Sequence, residues 1–168
     1  AYHKYWLNYA ARIINPNFDR DSNLILDLKN KEDVLKRLRA VELFSERLSE
    51  RIPTGVTIAV VPSHNPESTL SGIREIARML TKKDREDATD CLMRNQKITK
   101  LASGGGRSLE VHLKSISVVR AERIRGKEVW LIDDVTTTGN SLRACRQLLL
   151  NAGARRVQMY AIGKTVYE

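Results

Sequence analysis

Val129-Trp130-Leu131-Ile132-Asp133-Asp134-Val135-Thr136-Thr137-Thr138-Gly139-Asn140-Ser141 carries the plainest structural signal in the chain. Val129 to Ile132 are four apolar residues in a row, which suits a central strand buried on both faces. Two adjacent carboxylates end that run. Three threonines and a glycine follow. Ser141 to Asn151 then reads as a helix, with Leu142, Cys145, Leu148 and Leu149 on its inward face. Gly153 is placed to cap the helix end, and Val157 to Ile162 supplies another strand. Strand, tight loop, helix and strand at this spacing make a βαβ unit.

The loop inside that unit has chemistry of its own. Ligands of open α/β sheets bind outside the carboxyl ends of the strands. Hydroxyls and backbone N–H groups at a helix N-terminus suit a phosphate, and Gly139 lets the backbone come close to an anion. Asp133 and Asp134 beside such a site would repel a bare anion. They make sense as acceptors for sugar hydroxyls or as groups facing a divalent cation. Two other readings stand beside this one. The acid pair could belong to a phosphoacceptor domain, and the threonines could be an ordinary helix cap. A Walker-type loop does not fit, because no Lys follows Gly139.

Outward from this unit, strand-like and helix-like segments alternate, which predicts an α/β fold with a mainly parallel sheet flanked by helices. Asn23 to Lys29 reads as a strand or hairpin arm. Lys31 to Arg51 reads as a helix, with Val34, Leu38, Val41, Phe44 and Leu48 at helical spacing, ended by Pro53 and Gly55. Val56 to Val61 is a β-branched run suited to a parallel strand, stopped by Pro62-Ser63-His64-Asn65-Pro66. Glu67 to Lys82 reads as a second helix, and Asp90 to Arg94 as a short further element. Gln96 to Lys114 reads as a long loop around Gly104-Gly105-Gly106. Such loops in compact domains are more often functional or disordered than not. No repeat or linker divides the chain, so one domain over residues 1–168 is expected.

Composition narrows the partners. Lys and Arg number 29 against 20 Asp and Glu, a net charge of +9. That balance favours polyanions: nucleic acid, a phosphorylated small molecule, or both. A solvated surface is the plain alternative. Tyr2, Tyr5, Trp6 and Tyr9 could stack on unpaired bases, although Tyr5, Trp6 and Tyr9 have helical spacing and suit packing onto the core or a second subunit. No apolar run approaches the ~20 residues that span a bilayer, and Ala1 to Asn8 lacks the apolar stretch of a signal peptide. A cytoplasmic protein without membrane partners is expected. Cys91 and Cys145 show no metal-ligand spacing and no sign of a disulfide.

The segment from Val129 to Ser141 resembles the signature of type I phosphoribosyltransferases. Val60-Val61-Pro62-Ser63-His64 is similar to the strand and pyrophosphate loop of that family. Gly104 to Lys114 lies where the family keeps a flexible catalytic loop. Arg125 to Val129 resembles the lead-in to the signature strand, and Leu142 to Ala161 the helix and strand after it. Within the group the pattern looks closest to ComF-like proteins, associated with DNA uptake, and the loop Asp134 to Gly139 is also similar to orotate phosphoribosyltransferases.

The resemblance implies a ligand, 5-phosphoribosyl 1-pyrophosphate or a nucleotide, and Mg²⁺ as cofactor. Asp133 and Asp134 would hold the ribose hydroxyls directly or through the metal, with water between. Val135 and Thr136 to Ser141 would wrap the 5-phosphate. Ser63 and His64 would lie on the pyrophosphate. Arg107, His112 or Lys114 would close over it as negative charge develops. His64 as a surface residue and His112 as a packed one are the alternatives. Hypoxanthine-guanine enzymes carry an Asp where this chain has Thr137, which argues against that kind of purine. The implied function is transfer of phosphoribosyl to or from a nitrogen nucleophile. Its rival is a non-catalytic module: a nucleotide sensor, or a protein partner of DNA-handling machinery.

Overall fold

The structure is a computed structural model that describes residues 1–8, 10–66, 71–98 and 108–166. In chain order its elements are β1 (Trp6–Asn8), β2 (Ile13–Ile14), α1 (Arg20–Leu28), α2 (Val34–Arg51), β3 (Thr57–Val60), α3 (Gly72–Thr81), β4 (Glu86–Asp87) and β5 (Leu92–Arg94). They continue with α4 (Leu109–Ser115), β6 (Ile116–Val118), β7 (Glu128–Thr136), α5 (Asn140–Asn151) and β8 (Arg156–Lys164). A 3₁₀ turn over Ala121–Arg123 precedes β7.

The central sheet has the order β4-β3-β7-β8 and is parallel throughout. Successive residues of a strand point to opposite faces, and the two middle strands show what that does. Ile58, Val60 and Ile132 face a layer built from α1, α2 and α3, with Ile25, Phe44, Leu48, Ile76 and Leu80. Ala59, Val61, Val129 and Leu131 face the other layer, with Leu142, Cys145 and Leu149 of α5 and Leu92 and Ile116 of the β5–β6 hairpin. All four residues of β3 are buried. The continuous apolar runs in β3 and β7 are therefore the mark of strands covered on both sides.

This topology creates the cleft. After β3 the chain passes through α3 to β4 on one flank of the sheet. After β7 it passes through α5 on the opposite face to β8 on the other flank. The two connections leave neighbouring strands in opposite directions, which opens a crevice at their carboxyl ends. Val61 N–H donates to Ile132 O at 3.0 Å, so the loop after β3 starts alongside the end of β7.

Several expectations need correction. Asn23 to Lys29 is not a strand but most of α1. The carboxylate of Asp19 accepts from Ser22 N–H at 2.7 Å and starts that helix, and Ser22, Ile25 and Leu28 are its buried positions. An apolar run that short fits strand or helix alike, and the cap decides for helix. Trp6 belongs to a strand rather than to a helix with Tyr5, and Tyr9 lies outside the described residues. Tyr5 packs edge-on against Phe18, with ring centroids 5.1 Å apart. The end of the supposed loop Gln96 to Lys114 is helical: Ser108 caps α4 by accepting from Val111 N–H at 3.3 Å. Gly104 to Gly106 lie outside the described residues. Both cysteines are free and buried, Cys145 on the inward face of α5 as expected. None of the described helices is long and apolar enough to cross a membrane.

Candidate functional site

The carboxyl ends of β3 and β7 open into a cleft of about 280 Å³. Of the residues singled out from sequence, it gathers Ser63, His64, His112, Asp133, Asp134, Val135 and Ser141. It also brings in Lys29 and Arg94, which the sequence reading had not singled out.

The acid pair forms the floor. β7 runs on past its apolar core to Thr136, paired with β8 as far as Thr136 opposite Lys164. Asp133 Oδ1 accepts from Asp134 N–H at 2.9 Å, and Ser141 adds a side-chain hydrogen bond to the Asp133 carboxylate. Burial, and then the neighbouring charge of Asp134, push the Asp133 carboxyl up to about 8. Both effects favour the protonated form, and a cation placed beside it would favour the ionised one. Asp134 has such a partner already: Lys29 Nζ stands 3.4 Å from its Oδ2. Lys29 also lies 5.8 Å from the ring centre of Tyr2.

The turn into α5 is open and rich in donors. Gly139 is the N-cap with φ +77, a left-handed conformation that glycine adopts without strain. A Cβ at that position would stand 3.7 Å from Arg143 Nη1 and 3.8 Å from Thr136 Oγ1. Arg143 arches back over the turn, donating from Nη2 to Thr138 O at 3.0 Å and to Asn140 Oδ1 at 2.6 Å. Thr137 Oγ1 lies 3.1 Å from Thr165 Oγ1. Thr136 Oγ1 is buried with no hydrogen-bond partner among the described residues. A buried hydroxyl without a partner is costly, and this one stands beside the glycine-capped start of α5. The first-turn N–H groups of α5 add a partial positive charge there.

The opposite wall is the loop after β3 and what holds it. Arg94 is only 4 % exposed. Its Nε donates to Ser63 O at 2.6 Å, and its Nη1 donates to Ser115 Oγ at 2.7 Å. Its Nη2 lies 3.4 Å from His112 Nδ1. Ile98 N–H donates to His64 O at 3.2 Å. His112 is 2 % exposed, so it is a packed histidine that borders the cleft. Lys114 points elsewhere: it pairs with Glu110 at 2.7 Å, 72 % exposed, and is not in the cleft lining. Arg107 lies outside the described residues.

One sequence signal could have found Arg94. In Leu92-Met93-Arg94 the first and third residues share a strand face, and Leu92 is apolar, so the alternation puts Arg94 inward. Lys29 gave no such signal, because its place follows from α1 being a helix.

No group of three or more His, Cys, Asp or Glu side chains that could hold a metal occurs among the described residues. Asp133 and Asp134 alone suit a cation that keeps most of its water and shares oxygens with a phosphorylated ligand, which is how Mg²⁺ is commonly bound.

Residues 38–163 match the family model described as "Phosphoribosyl transferase domain". The match covers well over half of the 168 residues, and the chain belongs to that family. Among solved structures it is similar to one described as the allosteric regulatory enzyme of purine biosynthesis, at 19% identity and TM-score 0.49 over 73% of this chain and 25% of that one. It is similar to the glutamine phosphoribosylpyrophosphate amidotransferase from B. subtilis, at 22% identity and TM-score 0.45 over 73% of this chain and 26% of that one. A third is the adenine phosphoribosyltransferase from Leishmania donovani, at 17% identity and TM-score 0.49 over 79% of this chain and 57% of that one. The chain thus spans about a quarter of the length of the first two. No curated protein sequence matches it.

Proposed function

We propose that the chain binds 5-phosphoribosyl 1-pyrophosphate together with Mg²⁺ and transfers the phosphoribosyl group to or from a nitrogen nucleophile. One observation carries this reading: an acid pair at the end of β7 leads directly into a glycine-capped helix start with an orphaned threonine hydroxyl. Sugar hydroxyls need acceptors and a phosphate needs donors, and these nine residues offer both within one turn of chain.

In this reading Asp133 and Asp134 accept from the ribose hydroxyls. Val135 to Ser141 hold the 5-phosphate, with Thr136 Oγ1 as a donor and Arg143 supplying charge. Ser63 and His64 face the pyrophosphate. His112 borders that side, and Arg107 is a further candidate for meeting the leaving group. The bond from the ribose C1 to the pyrophosphate oxygen breaks, the bond from C1 to nitrogen forms, and the electron pair leaves with pyrophosphate. Cations aimed at that oxygen lower the barrier. Bound Mg²⁺ would supply further charge to the pyrophosphate oxygens, and its approach would favour the ionised form of Asp133.

The test is pyrophosphate release from phosphoribosyl pyrophosphate over a panel of nucleobases and amines, with Mg²⁺ and with chelator. Release that depends on one acceptor and on Mg²⁺ is expected. Binding without release over the whole panel would favour the second reading, a ComF-like, non-catalytic module that works with DNA-handling partners. That reading has its own support in the net charge of +9 and in a groove between α1 and α2 where Arg20, Lys36, Arg39 and Arg47 outnumber the one carboxylate in its lining, Asp27. Its signature would be oligonucleotide binding that weakens steeply with salt.

A further inference from the structure

The pyrophosphate side of the cleft is a loop without secondary structure of its own. Residues 61–63 between β3 and the turn at His64 belong to neither helix nor strand. Something else must fix its backbone. Arg94 reaches it from beneath, on the inward face of β5. The guanidinium donates to Ser63 O at 2.6 Å, approaches Pro62 O at 3.5 Å and donates to Ser115 Oγ at 2.7 Å. Ser115 is the last residue of α4, and its hydroxyl in turn donates to Val111 O at 2.7 Å. The residue ties three separate stretches together: the loop after β3, the β5 strand and the end of α4.

We propose that Arg94 is the positioning residue for pyrophosphate recognition, holding the Pro62–Ser63 carbonyls so that the peptide N–H groups of Ser63 and His64 are set in one orientation. This inference rests on the ligand reading above. The physical link is the planar trans peptide: fixing a carbonyl fixes the direction of the N–H that shares its plane. Each carbonyl that Arg94 holds therefore determines one donor on the following residue. Only a forked guanidinium can span these acceptors. A lysine keeps the charge but presents its three donors from a single nitrogen and cannot reach Ser63 O, Pro62 O and Ser115 Oγ at once. The burial of Arg94, 4 % exposed, locks its rotamer and makes the arrangement stiff.

The test is calorimetric titration of the full chain with three ligands: phosphoribosyl pyrophosphate with Mg²⁺, inorganic pyrophosphate with Mg²⁺, and ribose 5-phosphate. Arg94→Lys should weaken the first two at least tenfold and leave ribose 5-phosphate within twofold. Equal weakening of all three would mean a merely structural role and would overturn the proposal, as would no change in any. If Arg94→Lys does not fold, Ser115→Ala removes the acceptor of Nη1. It should give the same selective loss, about threefold or more, and an unselective one again overturns the idea. A wild-type chain that binds none of the three ligands sinks the ligand reading and this inference with it. Wild-type binding with an unselective variant sinks this inference alone.

Discussion

Asp134 and Lys29 meet at 3.4 Å across the cleft, yet they arrive there by different kinds of sequence information. Asp134 stands on β7, where strand, acid pair, turn and helix cap follow one another within thirteen residues. Every part of that turn is specified by its neighbours: an apolar run, then carboxylates, then a residue that tolerates positive φ. Lys29 stands at the end of α1, whose position comes from a distant fit. Leu28, 1 % exposed, is seated against Gly72 at the start of α3, and a Cβ on Gly72 would lie 2.5 Å from Leu28 O. Nothing near Lys29 in the chain announces that contact. In the proposed reading the β7–α5 turn carries the ligand chemistry, and α1 is where the cleft depends on packing. Changes in the first should alter binding foremost, and changes in the second should alter stability foremost.

Gly72→Ala should have the largest effect on stability. The added methyl meets the Leu28 carbonyl oxygen as well as the Leu28 side chain, and the backbone contact cannot be relieved by a rotamer change, so α1 and α3 must separate. Overpacking of this kind costs about 1–3 kcal/mol, which for a chain of this size lowers Tm by roughly 2–4 °C per kcal/mol. Thermal unfolding checks it. An unchanged Tm would show that α1 is not seated by this contact.

Asp133→Asn should move stability the other way. The Asp133 carboxyl is raised from its ordinary value to about 8. The folded protein therefore holds a proton that the unfolded chain releases near pH 4. Stability is highest below that pH and declines as pH rises towards about 8. The asparagine variant removes this dependence and should gain stability relative to the parent as pH rises from 5 to 8, while binding phosphoribosyl ligands less well. Denaturant titrations of both proteins at pH 5 and pH 8 make the comparison. Parallel pH profiles would mean that Asp133 is ionised throughout.

Asp19→Ala removes the cap of α1 and should cost about 1 kcal/mol. Asp19→Asn should recover most of that, because the amide oxygen can still accept from Ser22 N–H. If neither change is felt, the helix owes its start to packing alone.

The same contrast explains what could be read in advance. β3 and β7 were legible because a strand buried on both faces has no polar alternation to blur it, and α5 and β8 because Gly139 and Gly153 punctuate the helix that leads from β7 to β8. The parallel sheet followed from that unit. α1 was misread because Leu24, Ile25, Leu26 and Leu28 are apolar without a clear period, and the deciding group, Asp19, lies outside the run. The cleft floor was legible in the same sense, down to Asp133, Asp134 and Ser141. Arg94 and Lys29 were missed because each is brought in by an element whose position depends on the whole fold. Lys114 was chosen for its charge and its place in the chain, and the turn of α4 directs it to Glu110 instead.

The central claim is that the β7–α5 turn is a phosphoribosyl pyrophosphate site, and a thermal shift titration with Mg²⁺ addresses it most directly. A ligand that binds only the folded state stabilises it by about 2.7 kcal/mol at a hundredfold excess over Kd. The wild-type chain should show a saturable rise in Tm, and Asp134→Asn should keep the unliganded Tm while losing most of that rise. No rise in the wild type, or an equal rise in Asp134→Asn, would contradict the account.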